Sequence, residues 1–234
     1  MKNKLNSNNI TVKPLTEIIG PVLAIDVAVF TLKEGRLNVL LLKTRDQFAG
    51  GDYVLPGGFV ALEETLDESA KRNLLRKANI NINYLEQLYT FGTVNRDTRG
   101  RVVSVAYFAL VDYKHFNLKT TDRYSSVGWS NVDELPSLGY DHQAILTKAV
   151  ERIRTKLQYS NLAAHLLPKS FSLTQLQKTY EDVIGEPLDK RNFRRKVLSI
   201  KIIEPVSTVA SPSAHRPAQL YRFVSKKYQE VSLI

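Results

Sequence analysis

Residues 172–200, SLTQLQKTYEDVIGEPLDKRNFRRKVLSI, carry the signals for two helices joined by a tight turn. Ser172 and Gln175 have the spacing of a capping box, in which the hydroxyl and the glutamine side chain each bind a free backbone amide at the start of a helix. Gly185 suits the left-handed position that ends a helix. The pattern therefore predicts a first helix over residues 173–184, whose apolar positions fall on one stripe: Leu173, Leu176, Tyr180, Val183 and Ile184.

The second helix of this stretch is predicted over residues 190–200, with Asp189 as its N-cap. Phe193, Val197 and Ile200 fall at i, i+4 and i+7 and are expected to face inward. At about 100° per residue, the arginines at 191 and 195 point almost opposite that stripe. Positive charge at a helix N-terminus opposes the helix dipole and is unfavourable for the helix by itself. The basic residues at the start of this helix are therefore better explained by a role in binding phosphate.

Two short strands are predicted after the basic helix, KIIEPV over residues 201–206 and QLYRFV over residues 219–224. Helix, turn, basic helix and β-hairpin is the order of a winged helix-turn-helix. Arginine and asparagine can read guanine and adenine edges, while further cations hold phosphates. The candidate DNA-binding residues are Thr174, Gln175, Lys190, Arg191, Asn192, Arg194, Arg195 and, in the wing, Arg216.

The charge distribution supports this interpretation. The chain carries 33 basic and 23 acidic residues, a net charge of +10. Residues 1–150 hold 18 basic and 16 acidic residues, or +2, whereas residues 151–234 hold 15 and 7, or +8. A concentrated positive charge is typical of a polyanion binder. The apolar positions of the same segment indicate a folded basic domain rather than a solvated tail.

Composition excludes several classes of protein. With no cysteine, the chain has no disulfides, thiolate metal ligands or thiol nucleophile. Its four histidines show no metal-ligand spacing, and we expect neither a metal nor a cofactor. No apolar run reaches the ~18 residues of a membrane span, and the N-terminus lacks the apolar core of a signal peptide. We therefore expect a cytoplasmic protein without membrane contact.

The first part of the chain is rich in β-branched segments. Strands are predicted over residues 22–32, 37–45, 85–96, 101–113 and 124–136, and a helix over residues 65–78. This order predicts an α+β fold. We divide the 234 residues into a flexible arm (1–20), a ligand-sensing domain (21–157) and a DNA-binding domain (158–234).

Residues 57–80, GGFVALEETLDESAKRNLLRKANI, resemble the Nudix box, a loop–helix–loop motif. Gly58, Glu64 and Arg72 stand at the spacing of the motif. The family's three downstream glutamates are replaced by Asn73, Arg76 and Lys77. The resemblance implies an N-terminal Nudix-like α/β/α sandwich.

These replacements bear on chemistry. Nudix hydrolysis needs Mg²⁺ or Mn²⁺ held by carboxylate oxygens. Two cationic side chains repel a divalent ion, so we expect no catalytic residue and no hydrolysis by the usual route. Arg76 and Lys77 are candidates for binding ligand phosphates directly, although plain helix-surface charge explains them equally well.

A second stretch, RDTRGR at residues 96–101, resembles a segment of Nudix domains that handle ADP-ribose-like compounds, and YDH at residues 140–142 resembles the end of the domain in related regulators. Three closely spaced arginines suit a diphosphate or sugar clamp, against the alternative of an exposed basic loop. Taken alone, His142 is more typical of a structural histidine and Tyr107 of a core residue. The candidate ligand-binding residues are Arg45, Gly58, Glu64, Arg76, Lys77, Arg96, Asp97, Arg99, Arg101, Tyr107 and His142.

Residues 166–200 are similar to the C-terminal domain of the Nudix-related bacterial transcription regulators, and the whole resemblance covers roughly residues 22–228. It implies a homodimer on palindromic double-stranded operator DNA. The family includes repressors of NAD-biosynthesis genes and an arabinose-responsive branch. ADP-ribose, another NAD-related nucleotide and a pentose therefore all remain open as the effector. The alternatives are a Nudix hydrolase of ADP-ribose with an appended basic domain, and an RNA-binding module.

Overall fold

The computed structural model describes residues 20–45, 51–82, 84–209 and 218–231. It has a mixed helix-and-strand architecture: a sheet with one helix on each face comes first along the chain, and a small helix-turn-helix with a hairpin follows. The predicted arm at residues 1–20 lies outside these ranges apart from Gly20, and so does Arg216.

Among the described residues, seven strands form the first sheet, with the order β3, β2, β1, β6 and β5 across it, while β4 pairs with β1 and β7 pairs with β2. β1 runs parallel to β6, and the other pairs are antiparallel. The strands are β1 (Val22–Lys33), β2 (Arg36–Thr44), β3 (Tyr53–Val54), β4 (Gly57–Phe59), β5 (Leu85–Phe91), β6 (Val102–Leu110) and β7 (Tyr124–Asn131). Helix α1 is Leu66–Ala78, and helix α2 is His142–Tyr159.

The two faces of the central strands carry different cores because side chains alternate along a strand. Val27 and Val29 of β1 join a buried cluster with Leu74 of α1. Phe30, on the opposite face, joins a second cluster with Ile145 of α2. The sheet is therefore covered on both sides, as the α/β/α prediction required.

The C-terminal elements are β8 (Phe171–Ser172), α3 (Leu173–Ile184), α4 (Lys190–Ser199), β9 (Ile203–Val209) and β10 (Ala218–Phe223). α3 and α4 agree with the predicted helices to within one residue. Asp189 accepts from the Asn192 amide, and Gly185 takes a left-handed conformation with φ of 87°. β10 pairs with both β8 and β9, which completes the winged helix-turn-helix.

Strand boundaries differ more from the sequence expectation. β5 ends at Phe91 rather than at residue 96, because residues 93–96 turn back through a hydrogen bond from the Arg96 amide to the Thr93 carbonyl. β6 ends at Leu110, after which the chain enters a 3₁₀ turn at Tyr113–His115. None of the helices among the described residues combines the length and apolarity that crossing a membrane requires.

The two domains share one hydrophobic cluster. Ile153 and Leu157 of α2 belong to the same buried set as Leu176 and Tyr180 of α3. The Arg154 guanidinium also donates across the junction to the carbonyl of Val183, at 3.0 Å. α2 therefore contacts the sheet of the first domain and the first helix of the second.

Replacing Ser172 with alanine is expected to lower the free energy of unfolding by about 1 kcal/mol. Its hydroxyl accepts from the Gln175 amide at 3.2 Å, and the Gln175 side chain accepts from the Ser172 amide at 2.8 Å. Urea unfolding followed by circular dichroism measures the change. Ser126→Ala, on exposed strand surface, is the control, and equal losses in the two variants would contradict the capping role.

Candidate functional site

A cavity of about 260 Å³ opens at the edge of the sheet, between β1, β4, α1 and the loops before β6, β7 and α2. Six of its lining side chains are arginine or lysine and two are aspartate, so the cavity favours an anion. The charged lining residues are Asp26, Arg72, Arg76, Lys77, Arg96, Asp97, Arg99 and Arg123, with His142 beside them.

The floor of the cavity is a buried ion cluster centred on Arg96. Its guanidinium donates to Asp141 at 2.6 and 2.9 Å and to Asp26 at 3.0 Å. Asp26 also accepts from the Ser104 hydroxyl at 2.7 Å and lies 3.3 Å from His142 Nε2. The Arg96 side chain is only 3% exposed, and its charge is paired with these carboxylates. Arg96 lines the cavity but is buried, so the alternative of an exposed basic loop does not describe it, and its role in binding the ligand stays a prediction.

Hydrogen bonding fixes the state of the two buried acid–base groups in this cluster. The Leu55 amide donates to His142 Nδ1 at 3.0 Å, which leaves Nε2 to carry the proton toward Asp26. Burial alone would raise the pKa of Asp26, but the charges and hydrogen bonds of His142, Ser104 and Arg96 hold it well below its usual range. His142 lines the cavity and is satisfied on both nitrogens, as a structural histidine would be.

Arg99 and Asp97 lie at the rim. Asp97 accepts from the Arg99 side chain at 2.7 and 2.9 Å, and the guanidinium lies 5.4 Å from the ring centre of Phe59 and 5.7 Å from that of Tyr140. Arg99 itself is exposed. The rim therefore combines a cation with two aromatic faces, a set suited to a phosphate beside a base or ribose.

Arg76 and Lys77 reach the same cavity from the last turn of α1. The Lys77 ammonium is half-buried, donates to the Gly57 carbonyl and lies 5.7 Å from the ring centre of Tyr124. Burial, with the positive charges of Arg123 and Arg76, lowers the pKa of Lys77 to about 8.

Neither Gly58, which lines the cavity, nor Glu64, which does not, offers a charge to a ligand there. A Cβ on Gly58 would lie 2.7 Å from Asn73 Oδ1, so glycine lets β4 approach α1 closely. Glu64 does not line the cavity; its carboxylate pairs with Arg72, with Nε to Oε2 at 2.7 Å, and accepts from the Ala61 amide. The hydrogen bonds from Arg72 and Ala61 lower the pKa of Glu64 to about 2.

The donor set does not fit the divalent metal ion on which Nudix hydrolysis depends. Asn73 faces Gly58, and the other two positions of the missing glutamates present cations. Glu64, the carboxylate kept from the motif, is engaged by Arg72. Among the described residues, no group of three or more carboxylate or imidazole side chains is placed to hold a metal ion.

Besides Glu64, three more predicted ligand residues lie outside the cavity lining. Arg45 donates to the Asp122 carbonyl at 2.6 Å and Arg101 to the Thr93 carbonyl at 3.2 Å, and neither lines the cavity. Tyr107 is buried beneath α1, where its hydroxyl donates to Asp67 at 2.9 Å. The core alternative for Tyr107 is thus what the structure shows.

Sequence reasoning missed several lining residues. Asp26 was signalled by its position as a lone acid in an apolar strand, which is typical of a buried charge with a partner. Tyr140 belongs to the YDH segment but was not among the candidates. Phe59, Arg123 and Tyr124 carried no comparable signal, because segments far apart in the chain bring them together.

The predicted DNA-binding residues occupy the outer surface of α3 and α4. Thr174, Gln175, Lys190, Arg191, Asn192 and Arg195 are exposed, and Arg194 is half-buried. Phe193 and Val197 of α4 are buried, so the basic side of this helix faces away from the core. The Arg194 guanidinium donates to Thr174 Oγ1 at 2.8 Å, and that of Arg195 donates to Asn192 Oδ1 at 2.9 Å.

An α/β/α domain with a basic cavity, joined to a winged helix-turn-helix, is the architecture of a ligand-responsive DNA-binding transcriptional regulator. Two family profiles agree with this class: the NUDIX domain matches residues 21–150, and the NrtR DNA-binding winged helix domain matches residues 163–223. The chain belongs to the NrtR family of NUDIX-domain transcriptional regulators.

Three comparisons with two similar proteins illustrate the relationship. The chain is 35% identical over 213 residues to the ADPR-responsive transcriptional repressor NtrR of Acinetobacter baylyi, covering 89% of this chain and 84% of that protein. It is 31% identical to Shewanella oneidensis NrtR in its crystal structure with a 27mer DNA, with a TM-score of 0.74 over 86% of this chain and 93% of that one. The NUDIX domain of the same protein, crystallised with ADP ribose, is 31% identical, with a TM-score of 0.54 over 61% of this chain and 94% of that one.

Proposed function

We propose that this regulator is a repressor that binds ADP-ribose, or a nucleotide of that class, in the cavity of its first domain. The observation that carries the proposal is the cavity lining, six basic side chains with aromatic rings at the rim. A nucleoside diphosphate sugar presents both a diphosphate and a flat base. The ADP-ribose complex of the S. oneidensis NUDIX domain supports the same class of effector. A free pentose carries no charge, so it would gain nothing from the excess of basic over acidic side chains that line the cavity.

We propose that the domains have the predicted ranges: an arm at residues 1–20, the effector domain at residues 21–157 and the DNA-binding domain at residues 158–234. The last range begins in the final turn of α2, which ends at Tyr159. α4 is the helix proposed to enter the major groove. The complex of the S. oneidensis protein with DNA supports duplex DNA as the partner rather than RNA.

The working form is proposed to be a cytoplasmic homodimer. A two-fold dimer presents two recognition helices to successive major grooves, which is how helix-turn-helix proteins bind palindromic operators. Sedimentation equilibrium of the purified protein, alone and with operator DNA, tests the dimer. A monomer under both conditions would contradict it.

The effector domain is proposed to bind its nucleotide without hydrolysing it. The alternative, an ADP-ribose hydrolase with an appended basic domain, rests on the NUDIX match and on the retained Glu64. The support for binding alone is the pairing of Glu64 with Arg72 and the presence of cations where the motif has glutamates. Mg²⁺-dependent turnover of ADP-ribose that disappears in Glu64→Gln would overturn this part of the proposal.

ADP-ribose is expected to shift the affinity for operator DNA at least tenfold, within the usual range of coupling between sites. Fluorescence anisotropy on the gene's own labelled upstream region measures it, with NAD and arabinose as comparison ligands. Arg99→Ala should lose most of the response because Arg99 lies at the cavity rim, whereas Arg101→Ala should keep it. Indifference to every ligand, or the same result in both variants, would contradict the assignment of the effector site.

A further inference from the structure

The surroundings of Lys77 differ from those of an ordinary charged residue on a helix surface. Its ammonium is bound to a backbone carbonyl, that of Gly57 in β4, and lies beside the ring of Tyr124. Burying an ammonium group costs free energy unless the charge is paired and hydrogen-bonded. The side chain of Lys71, in the middle of the same helix, is exposed.

The environment of Lys77 is predominantly positive. Arg123, Arg76 and Arg72 disfavour its protonated form, and Asp26 is the acidic group that favours it. Asp26 is already paired with Arg96 and His142. The ammonium has three N–H donors, of which one is spent on Gly57, and the described residues supply no hydrogen-bond acceptor for the other two. An anion in the cavity would supply both the acceptors and the missing negative charge.

A divalent metal ion cannot share this position. Lys77 stands where the Nudix box has its last glutamate, and its charged end rests on the carbonyl oxygen that opens the same motif. A cation of charge +2 placed there would be repelled by the Lys77 ammonium and by the charges of Arg72, Arg76 and Arg123, which already disfavour a positive charge at this position. The structure thus has a fixed positive charge, supplied by the chain, where the motif would gather a metal.

We propose that the Lys77 ammonium is a built-in cation that takes the place of a divalent metal ion in this cavity and binds the diphosphate group of the effector directly. The inference rests on the proposed function insofar as the effector is a nucleoside diphosphate. It adds that recognition is metal-free and that Lys77 determines the specificity for a diphosphate over an uncharged sugar.

The test is isothermal titration calorimetry of the full chain with ADP-ribose and with inorganic pyrophosphate, each in excess EDTA and again in Mg²⁺. Wild-type protein is expected to bind ADP-ribose equally well in both. Lys77→Gln should weaken binding at least tenfold, because it removes a charge-assisted hydrogen bond to phosphate. Lys71→Gln is the matched control and should leave affinity unchanged.

Binding should also weaken above pH 8. The pKa of Lys77 is lowered to about 8 in the free protein, so the ammonium is lost as pH rises through that value, and an anion must then restore the proton. The affinity should fall by up to about tenfold per pH unit above pH 8 and stay level below it. Lys77→Gln should abolish this pH dependence.

The outcomes separate the two proposals. Binding that EDTA abolishes and Mg²⁺ restores, or a Lys77→Gln variant of wild-type affinity, overturns the built-in cation while leaving ADP-ribose as the effector. Metal-free, Lys77-dependent binding of pyrophosphate without binding of ADP-ribose supports the built-in cation and overturns the effector. Binding of neither probe overturns both. Removing a half-buried charge should not unfold the chain, and thermal melting of each variant checks this.

Discussion

Arg96→Ala is expected to lower the free energy of unfolding by about 3–5 kcal/mol, the range found when one partner of a buried ion pair is removed. The Arg96 side chain is 3% exposed and forms ion pairs with two carboxylates, those of Asp26 and Asp141. Without it, the hydrogen-bond partners left to the Asp26 carboxylate among the described residues are Ser104 and His142, in a site where charge is poorly solvated. Because Asp141 is the N-cap of α2, the loss should extend to the entry of that helix.

Urea unfolding monitored by the fluorescence of Trp129, the single tryptophan, measures this change. Arg101→Ala is the matched control, since the same charge is removed five residues along the chain from an exposed side chain. Its effect should stay within about 0.5 kcal/mol. A loss below about 1 kcal/mol in Arg96→Ala would show that the two carboxylates do not depend on this guanidinium.

The same cluster predicts a dependence on acidity. The pKa of Asp26 in the folded chain lies below its unfolded value, so its ionised form contributes stability above an unfolded pKa of about 4. That contribution should be lost progressively as pH falls below this value. In Arg96→Ala the loss should be smaller, because one of the interactions that favour the carboxylate has already been removed.

The helix-turn-helix could be predicted nearly residue by residue because its signals are local. A capping box, a glycine at the end of α3 and an aspartate at the start of α4 lie within one or two turns of the boundaries they set. The strand ends were less predictable. Apolar alternation marks a strand but does not say where its partner stops, and β5 loses its pairing where the chain turns at residues 93–96.

The cavity could be predicted only in part, for a related reason. The motif located the last turn of α1 and the loop before β6, which both reach the cavity. It could not show that Arg96 is buried, because its partners Asp26 and Asp141 are 70 and 45 residues away in the chain. Nor could spacing show that Arg101 turns away from Arg99 after only two residues. Which charges remain free for a ligand is decided by long-range pairing.

The double variant Arg191→Ala/Arg195→Ala is expected to weaken specific operator binding at least about 30-fold. The two arginines are exposed at i and i+4 on α4, opposite the buried Phe193 and Val197, so both lie on the side presented to a groove. An arginine that reads a base is worth about 1–3 kcal/mol, and well-separated contacts add roughly. Neither side chain contributes to the core, so the fold should persist.

Fluorescence anisotropy on operator and on scrambled duplex, over a series of salt concentrations, distinguishes the kinds of contact that Arg191 and Arg195 make. Loss of base reading lowers operator affinity and leaves scrambled DNA almost unaffected, whereas loss of phosphate contacts weakens both duplexes and reduces the salt slope by about one for each contact. Lys114→Ala/Lys119→Ala removes the same charge from exposed positions of the first domain and should change neither. If this control lost as much affinity as the α4 variant, binding would depend on net charge, and α4 would no longer be the recognition helix.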